Sequence, residues 1–283
     1  MQRYSPDQLL EAAQASPAAV ARHDGAAWVA LFARHGVIED PVGSRPHHGG
    51  QHDCRSGVRG SAPLRRFYDT FIAPNEITFR VLYDVVAGPL VVRDLAIGLD
   101  MGGGLAVDVP MHVIYEITEE DGALKIAHLR AHWELVPMVA QVLGKGWPGV
   151  AAMTRLGLRM IATQGLGGVL GFCRGIFGVH GAGKRILRRF VDAADGRNPA
   201  ALTALFDGEN DGIVFPDGPA LDPAAFCERL GGPFSITKVI SCGWVTSCSF
   251  HVRSREAEIT GVGFFEFNSR TRKLHAVRLL GTG

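Results

Sequence analysis

The chain has 283 residues, 47% of them hydrophobic and 20% charged, enough apolar side chain for two globular cores at roughly 100–200 residues per domain. A formal net charge of +1 argues against a nucleic-acid binder held by a basic surface. Five cysteines without a CxxC spacing, and no apolar run of signal-peptide length in the opening "MQRYSPDQLLEAAQ", argue against a disulfide framework and predict a cytoplasmic location.

In chain order, Ser5 can cap a first helix, with Pro6 at its first position and Gln8 completing a capping box; "SPAAV" repeats the device at Ser16. A third helix follows Asp24 and Gly25, where Trp28, Leu31 and Phe32 share one face at i, i+3, i+4. "IEDPVG", residues 38–43, then places two adjacent acids before a proline. A helix over 62–72 aligns Leu64, Phe67, Tyr68 and Phe71. After it the period changes. Segments 77–84, 90–99, 105–118 and 123–136 are rich in Val, Ile, Leu and Thr and are parted by "AGP", "MGGG" and "EEDGA", the signals of strands and turns. Helices followed by an antiparallel sheet predict an α+β domain over residues 1–136.

Residues 137–183 read as a Gly-rich, apolar, helical connector. From Leu135 to Val191 there is no Asp or Glu, while Lys145, Arg155, Arg159, Arg174, Lys184, Arg185, Arg188 and Arg189 are basic. Its uncharged runs are expected to fall short of the roughly 18 apolar residues of a bilayer span. Two readings stay open. The segment is a pair of packing helices bridging two domains, or residues 145–180 make peripheral contact with anionic lipid, with Trp147, Leu156, Met160, Leu170 and Phe177 inward and the basic residues at the headgroups.

Residues 184–283 replay the first half: a helix, a "DG", an "ALF" helix end, a β-like "IVF", a short helix near "DPAAFCERL", and strands near 234–241, 243–253, 256–267 and 273–280. This order predicts a second, degenerate domain of the same fold. Other motifs lead nowhere. "GVHGAGKR" carries Arg185 where a phosphate-binding loop needs Ser or Thr, and "GKGWPG" has a proline and no βαβ context. "HHGGQHDC" gathers His47, His48, His52, Asp53 and Cys54 on one loop without a second rigid arm, so no metal is expected there. No GxSxG elbow is present.

"IEDPVGSRPHHG", with "RRFYDTF" after it and "HLRAHWEL" at the last strand of the half, resembles the steroid Δ-isomerase branch of the nuclear transport factor 2-like (cystatin-like) fold, which also includes polyketide cyclases and scytalone dehydratase. The resemblance covers roughly residues 5–136. It implies cone-shaped domains, each with a curved antiparallel sheet wrapped around helices and an apolar pocket at one end, working without a cofactor. It also implies that Asp40 is the proton shuttle, taking a proton from the carbon α to a ketone and returning it two carbons away. A carboxylate walled by Trp28, Phe32, Phe67, Phe71 and Trp133 would be poorly solvated and more basic, while Glu39, by strand alternation, would point to solvent.

The tyrosine that such enzymes use as an oxyanion donor aligns with Ser16, and the acid falls within Met111 to Val113. That leaves His112 and Tyr68 as candidate catalytic donors and adds Ser16 and Met111 to the substrate-binding set. In the second half Phe215 and Pro216 stand where "ED" stood, and Gly263 near the oxyanion acid; that domain is expected to be non-catalytic. The expected function is isomerisation of a bulky hydrophobic ketone of steroid or polyketide type, by a monomer with a pseudo-dimer of domains or by a homodimer. A non-catalytic carrier of hydrophobic ligands or a protein-interaction scaffold, associated with membranes, is the rival.

Overall fold

The computed structural model describes residues 4–49, 63–208 and 212–283. Helix α1 (Pro6–Ala21) starts at the predicted capping box: the Ser5 hydroxyl accepts the Gln8 N–H, and the Gln8 side chain accepts the Ser5 N–H at 2.9 Å. It runs on through Pro17, so Ser16 does not open a second helix; its hydroxyl accepts the Trp28 indole N–H at 3.0 Å instead. Asp24 caps α2 (Gly25–Ala30). Phe32, expected in that helix, already belongs to β1 (Phe32–Glu39).

After β2 (His47–His48) come α3 (Pro63–Phe67), a π-helical turn at Tyr68–Ile72, and β3 (Glu76–Ala87), β4 (Leu90–Asp100), β5 (Ala106–Glu120) and β6 (Ala123–His132). Helices α4 (Leu135–Leu143) and α5 (Trp147–Cys173) fill the connector. The second half comprises α6 (His180–Asp195), α7 (Pro199–Thr203), β7 (Gly212–Val214), α8 (Pro223–Arg229), β8 (Leu230–Cys242), β9 (Val245–Ser254), β10 (Glu258–Phe267) and β11 (Leu274–Thr282). The sheets run β2-β1-β6-β5-β4-β3 and β7-β11-β10-β9-β8. They are mixed rather than purely antiparallel, because β1 joins β6 and β7 joins β11 in parallel. This shared irregularity gives both halves one topology.

Each sheet buries one face against its own helices, around Trp28, Phe67, Leu95 and Ile126 in the first core and Phe190, Phe226, Phe265 and Leu279 in the second. The opposite faces pack on each other through Val85, Val92 and Ile114 against Val262, Phe264 and Leu280. Burial on both faces accounts for the near-continuous apolar runs in β4, β5 and β10.

Polar groups are sealed into this seam. The Lys238 ammonium donates to Asp94 and to the Leu95 carbonyl, Ser249 donates to Asp94, and His112 bridges Ser247 at 2.8 Å and Ser249 at 3.1 Å. Burial alone would raise the Asp94 pKa, but the His112 ring 3.8 Å away and the hydrogen bonds from Lys238 and Ser249 outweigh it and hold the carboxyl well below its usual range. At the seam's edge Gly43 and Gly243 meet with φ of +94° and +52°, and a Cβ on Gly43 would lie 2.5 Å from the Gly243 Cα. Only glycine permits that approach and that backbone.

The connector departs from expectation. By length and composition the helical stretch Trp147–Asp195 is apolar enough to cross a membrane, with mean hydropathy 1.2 over its best window. The chain nevertheless breaks at Gly165 (φ 69°, ψ −178°) and packs its first half on the first domain.

Two predictions follow from the seam. Lys238→Met leaves Asp94 buried without its cation and should cost about 3–5 kcal/mol in urea denaturation. Burial pushes the His132 pKa down to about 3, below the roughly 6.5 of an unfolded chain, so the unfolded state takes up that proton first. Stability should therefore fall as pH drops below about 6.5, by up to ~1.4 kcal/mol per unit from this residue, and His132→Gln should remove that part of the slope.

Candidate active site

Strand β1 buries Ile38 completely and then ends, so Asp40 leaves the ladder and turns its carboxylate into the mouth of the first domain. There a cavity of about 130 Å³ is bounded by Asp40 and Trp133, by Phe67 and Phe71 from the helical side, and by Ile97, Leu99, Val109 and Met111 from the sheet. That is about ten times the ~10–15 Å³ that one water needs. The connector closes the remaining side with Met138, Leu156 and Phe172, and Arg155 and Arg159 border the cavity.

Within this apolar hollow the Trp133 indole N–H donates to Asp40 Oδ1 at 2.5 Å. Loss of solvation raises the Asp40 pKa to about 6, and the Trp133 bond, which favours the charged form, opposes that rise. The carboxylate is half-buried by surface area, but the surface left to it faces a cavity lined mainly by hydrocarbon. The result is a carboxylate able to hold or release a proton near neutrality.

The connector is clamped onto this site. Arg159 donates to the Thr70 carbonyl at 3.2 Å, Gln164 donates to the Thr70 hydroxyl at 3.1 Å, Thr163 lies 2.7 Å from that hydroxyl, and Phe172 stacks on Phe71 at 5.3 Å. All of these partners lie on the π-helical turn, whose wider winding carries Phe71 and Thr70. Leu156 and Met160, which the lipid-contact reading groups with Trp147, are buried against the first domain, as the packing-helix reading has them.

The structure therefore brings Asp40, Phe67, Phe71, Met111 and Trp133 together. Trp28 and Phe32 form the layer behind: Trp28 stacks on Phe67 at 6.0 Å and meets Phe32 edge-on at 4.9 Å. Ser16 holds that indole in place and does not border the cavity. Tyr68 turns away as well. Its ring packs on Trp28 at 5.5 Å under the Arg65 guanidinium, and its buried hydroxyl has no hydrogen-bond partner among the described residues. His112 is corrected most sharply. Strand alternation turns Met111 inward and His112 outward, into the seam, with no exposure at all. Glu39 likewise faces a second cavity between the sheets and pairs with His128 at 2.9 Å, rather than projecting into solvent.

Sequence reasoning missed Tyr115. It lies four residues beyond Met111 on the same face of β5, behind the cavity wall, where burial first and the Asp40 charge after it raise the pKa of its phenol. The period-two count from Met111 was the available signal. Among the described residues no group of His, Cys, Asp or Glu could hold a metal; His52, Asp53 and Cys54 lie outside them.

Residues 13–129, from α1 to β6, match the family of SnoaL-like domains. The first domain is a SnoaL-like domain of the nuclear transport factor 2-like fold. Solved structures similar to this chain include a Δ5-3-ketosteroid isomerase from Mycobacterium sp., 27% identical over 46% of this chain and 95% of that one, with a TM-score of 0.37. Another is a Mycobacterium tuberculosis protein in complex with estradiol-17β-hemisuccinate, 29% identical over 46% and 96%, TM-score 0.37. A third is SalBIII, an epoxide hydrolase/cyclase-like enzyme in pyran ring formation in polyether salinomycin, 21% identical over 48% and 96%, TM-score 0.39. No curated protein matches.

In the second domain Phe215 directly follows β7, as Asp40 follows β1. It is 1% exposed and packs edge-on against Phe226 at 5.5 Å, so an aromatic ring fills the place that the SnoaL-like domain gives to a carboxylate.

Because its folded pKa near 6 lies above the roughly 3.9 of an unfolded chain, Asp40 destabilises the fold once ionised. Asp40→Asn should leave stability unchanged at pH 4 and raise it by about 1–3 kcal/mol above pH 7, read by urea denaturation at both values. Trp133→Phe removes the donor and should move the Asp40 titration above 6, measured by carboxyl-resolved NMR.

Proposed function

We propose that the SnoaL-like domain is a cofactor-independent acid–base enzyme that moves a proton α to the ketone of a bulky hydrophobic substrate, of steroid or polyketide type. The observation that carries this reading is the Asp40 carboxylate, with its pKa near 6, set in an apolar cavity and oriented by Trp133. In the proposed reaction Asp40 takes the proton from the α carbon, the C–H electron pair moves through the carbonyl to give a dienolate, and Asp40 returns the proton at the γ carbon. A base whose conjugate acid lies near working pH performs both halves of that transfer. Arg155 and Arg159, the cations that border the cavity, are assigned to offset the negative charge on the enolate oxygen. The second domain, with Phe215 in the equivalent place, serves as a built-in partner for the sheet of the first.

One observation favours a carrier. Ser16 and Met111–Val113 stand at the oxyanion positions, and neither Tyr68 nor His112 borders the cavity. Incubation with a β,γ-unsaturated 3-ketosteroid separates the readings through the ultraviolet band of the conjugated enone. The enzyme should raise that band at a rate that climbs with pH and levels off above about 6, and Asp40→Asn should lower the rate at least ~100-fold. Steroid binding with no spectral change in either protein would leave the carrier.

A further inference from the structure

We infer that α5 and the chain that follows it dock on an anionic lipid surface, so that the cavity of the SnoaL-like domain opens beside a bilayer. In the first half of α5, Trp147, Val150, Leu158 and Ile161 are exposed. At 3.6 residues per turn they fall on one narrow stripe. Ala152, Leu156 and Met160 fall on the opposite stripe and are buried against the first domain. The helix is thus apolar on two faces, and only one of them is covered. Beyond the Gly165 break the pattern continues: Leu166, Leu170 and Phe177, like Trp147, are 69–79% exposed. Large apolar side chains left this exposed along one helix face mark an interaction site.

Charge decides what fits it. Between Leu135 and Val191 there are eight basic residues and no acid. Lys184 is engaged by Glu134 at 2.8 Å, but Lys145, Arg155 and Arg174 are exposed along the same stretch as the stripe. Arg45 joins them, since its backbone N–H donates to the Gly171 carbonyl at 2.9 Å. Apolar side chains with a tryptophan, flanked by cations and free of carboxylates, match the boundary between acyl chains and anionic headgroups. The buried stripe of the same helix walls the cavity through Ala152 and Leu156, so seating the exposed stripe in lipid would hold an apolar binding site one helix diameter from the hydrocarbon.

Flotation tests this with phosphatidylcholine vesicles, alone or with phosphatidylserine at about a third of the lipid. The full chain should float roughly tenfold more with the anionic vesicles, and about 0.5 M salt should reverse most of the gain. The triple variant Trp147→Ser, Leu158→Ser, Leu170→Ser should stay with the unbound protein while keeping its thermal unfolding midpoint. The double variant Lys145→Glu, Arg174→Glu, which leaves the apolar surface intact, should lose the preference for anionic lipid. Asp40→Asn should float like the parent, which separates this inference from the proposed chemistry. Absence of flotation on anionic vesicles, flotation retained by the folded triple variant, or a stable dimer that buries the stripe and does not float would each overturn the proposal.

Discussion

The architecture turns on one buried charge. Asp94 is almost fully enclosed between two sheets, and the groups that compensate it come from both domains: Lys238 and Ser249 from the second, His112 from the first. A buried ionic cluster adds little net stability over a hydrophobic one, but it penalises any arrangement that separates its members. Flat apolar faces such as those of Val92, Ile114 and Val262 could slide over each other at small cost. The Asp94 cluster and the Gly43–Gly243 crossing allow one register. With both sheet backs used in that seam, the SnoaL-like domain has only its concave side and open end left for a ligand.

At that open end the same physics acts with the opposite sign. Asp94 is buried and compensated by several donors, which hold its pKa down; Asp40 has one donor, Trp133, and its pKa rises. The fold bears an ionised carboxylate next to hydrocarbon, a destabilising feature of the kind that functional sites retain because reactivity depends on it. The second domain shows the alternative. There Phe215 stands in the matching place, and its ring packs edge-on against Phe226.

The connector joins these regions. Its buried stripe completes the cavity wall, and its contacts with the π-helical turn tie Phe71 to Phe172. A segment that the sequence presents as a bridge between domains is therefore part of the first domain's site. One face of that helix closes the apolar cavity, and the other leaves Trp147 and Leu158 exposed.

Much of this was legible in the sequence, because local rules decide it. The Ser5–Gln8 capping box, the strand segments from β3 to β6, the replay of the same order in residues 184–283 and the carboxylate before Pro41 all follow from short-range periodicity and turn chemistry. What failed was parity and distance. Whether Met111 or His112 faces the cavity is a one-residue choice in a strand buried on both sides, so apolar pattern cannot decide it; the packing of the second sheet did. Tyr68 turned from its expected place on the π-helical turn, and Phe172 came to the site through contacts dozens of residues apart in the chain. The sequence by itself determined the elements, their order and the acid at position 40, since those depend on neighbours along the chain. Only the tertiary structure decided which side chains share the cavity with that acid, because burial and loss of solvation arise from surfaces that meet after folding.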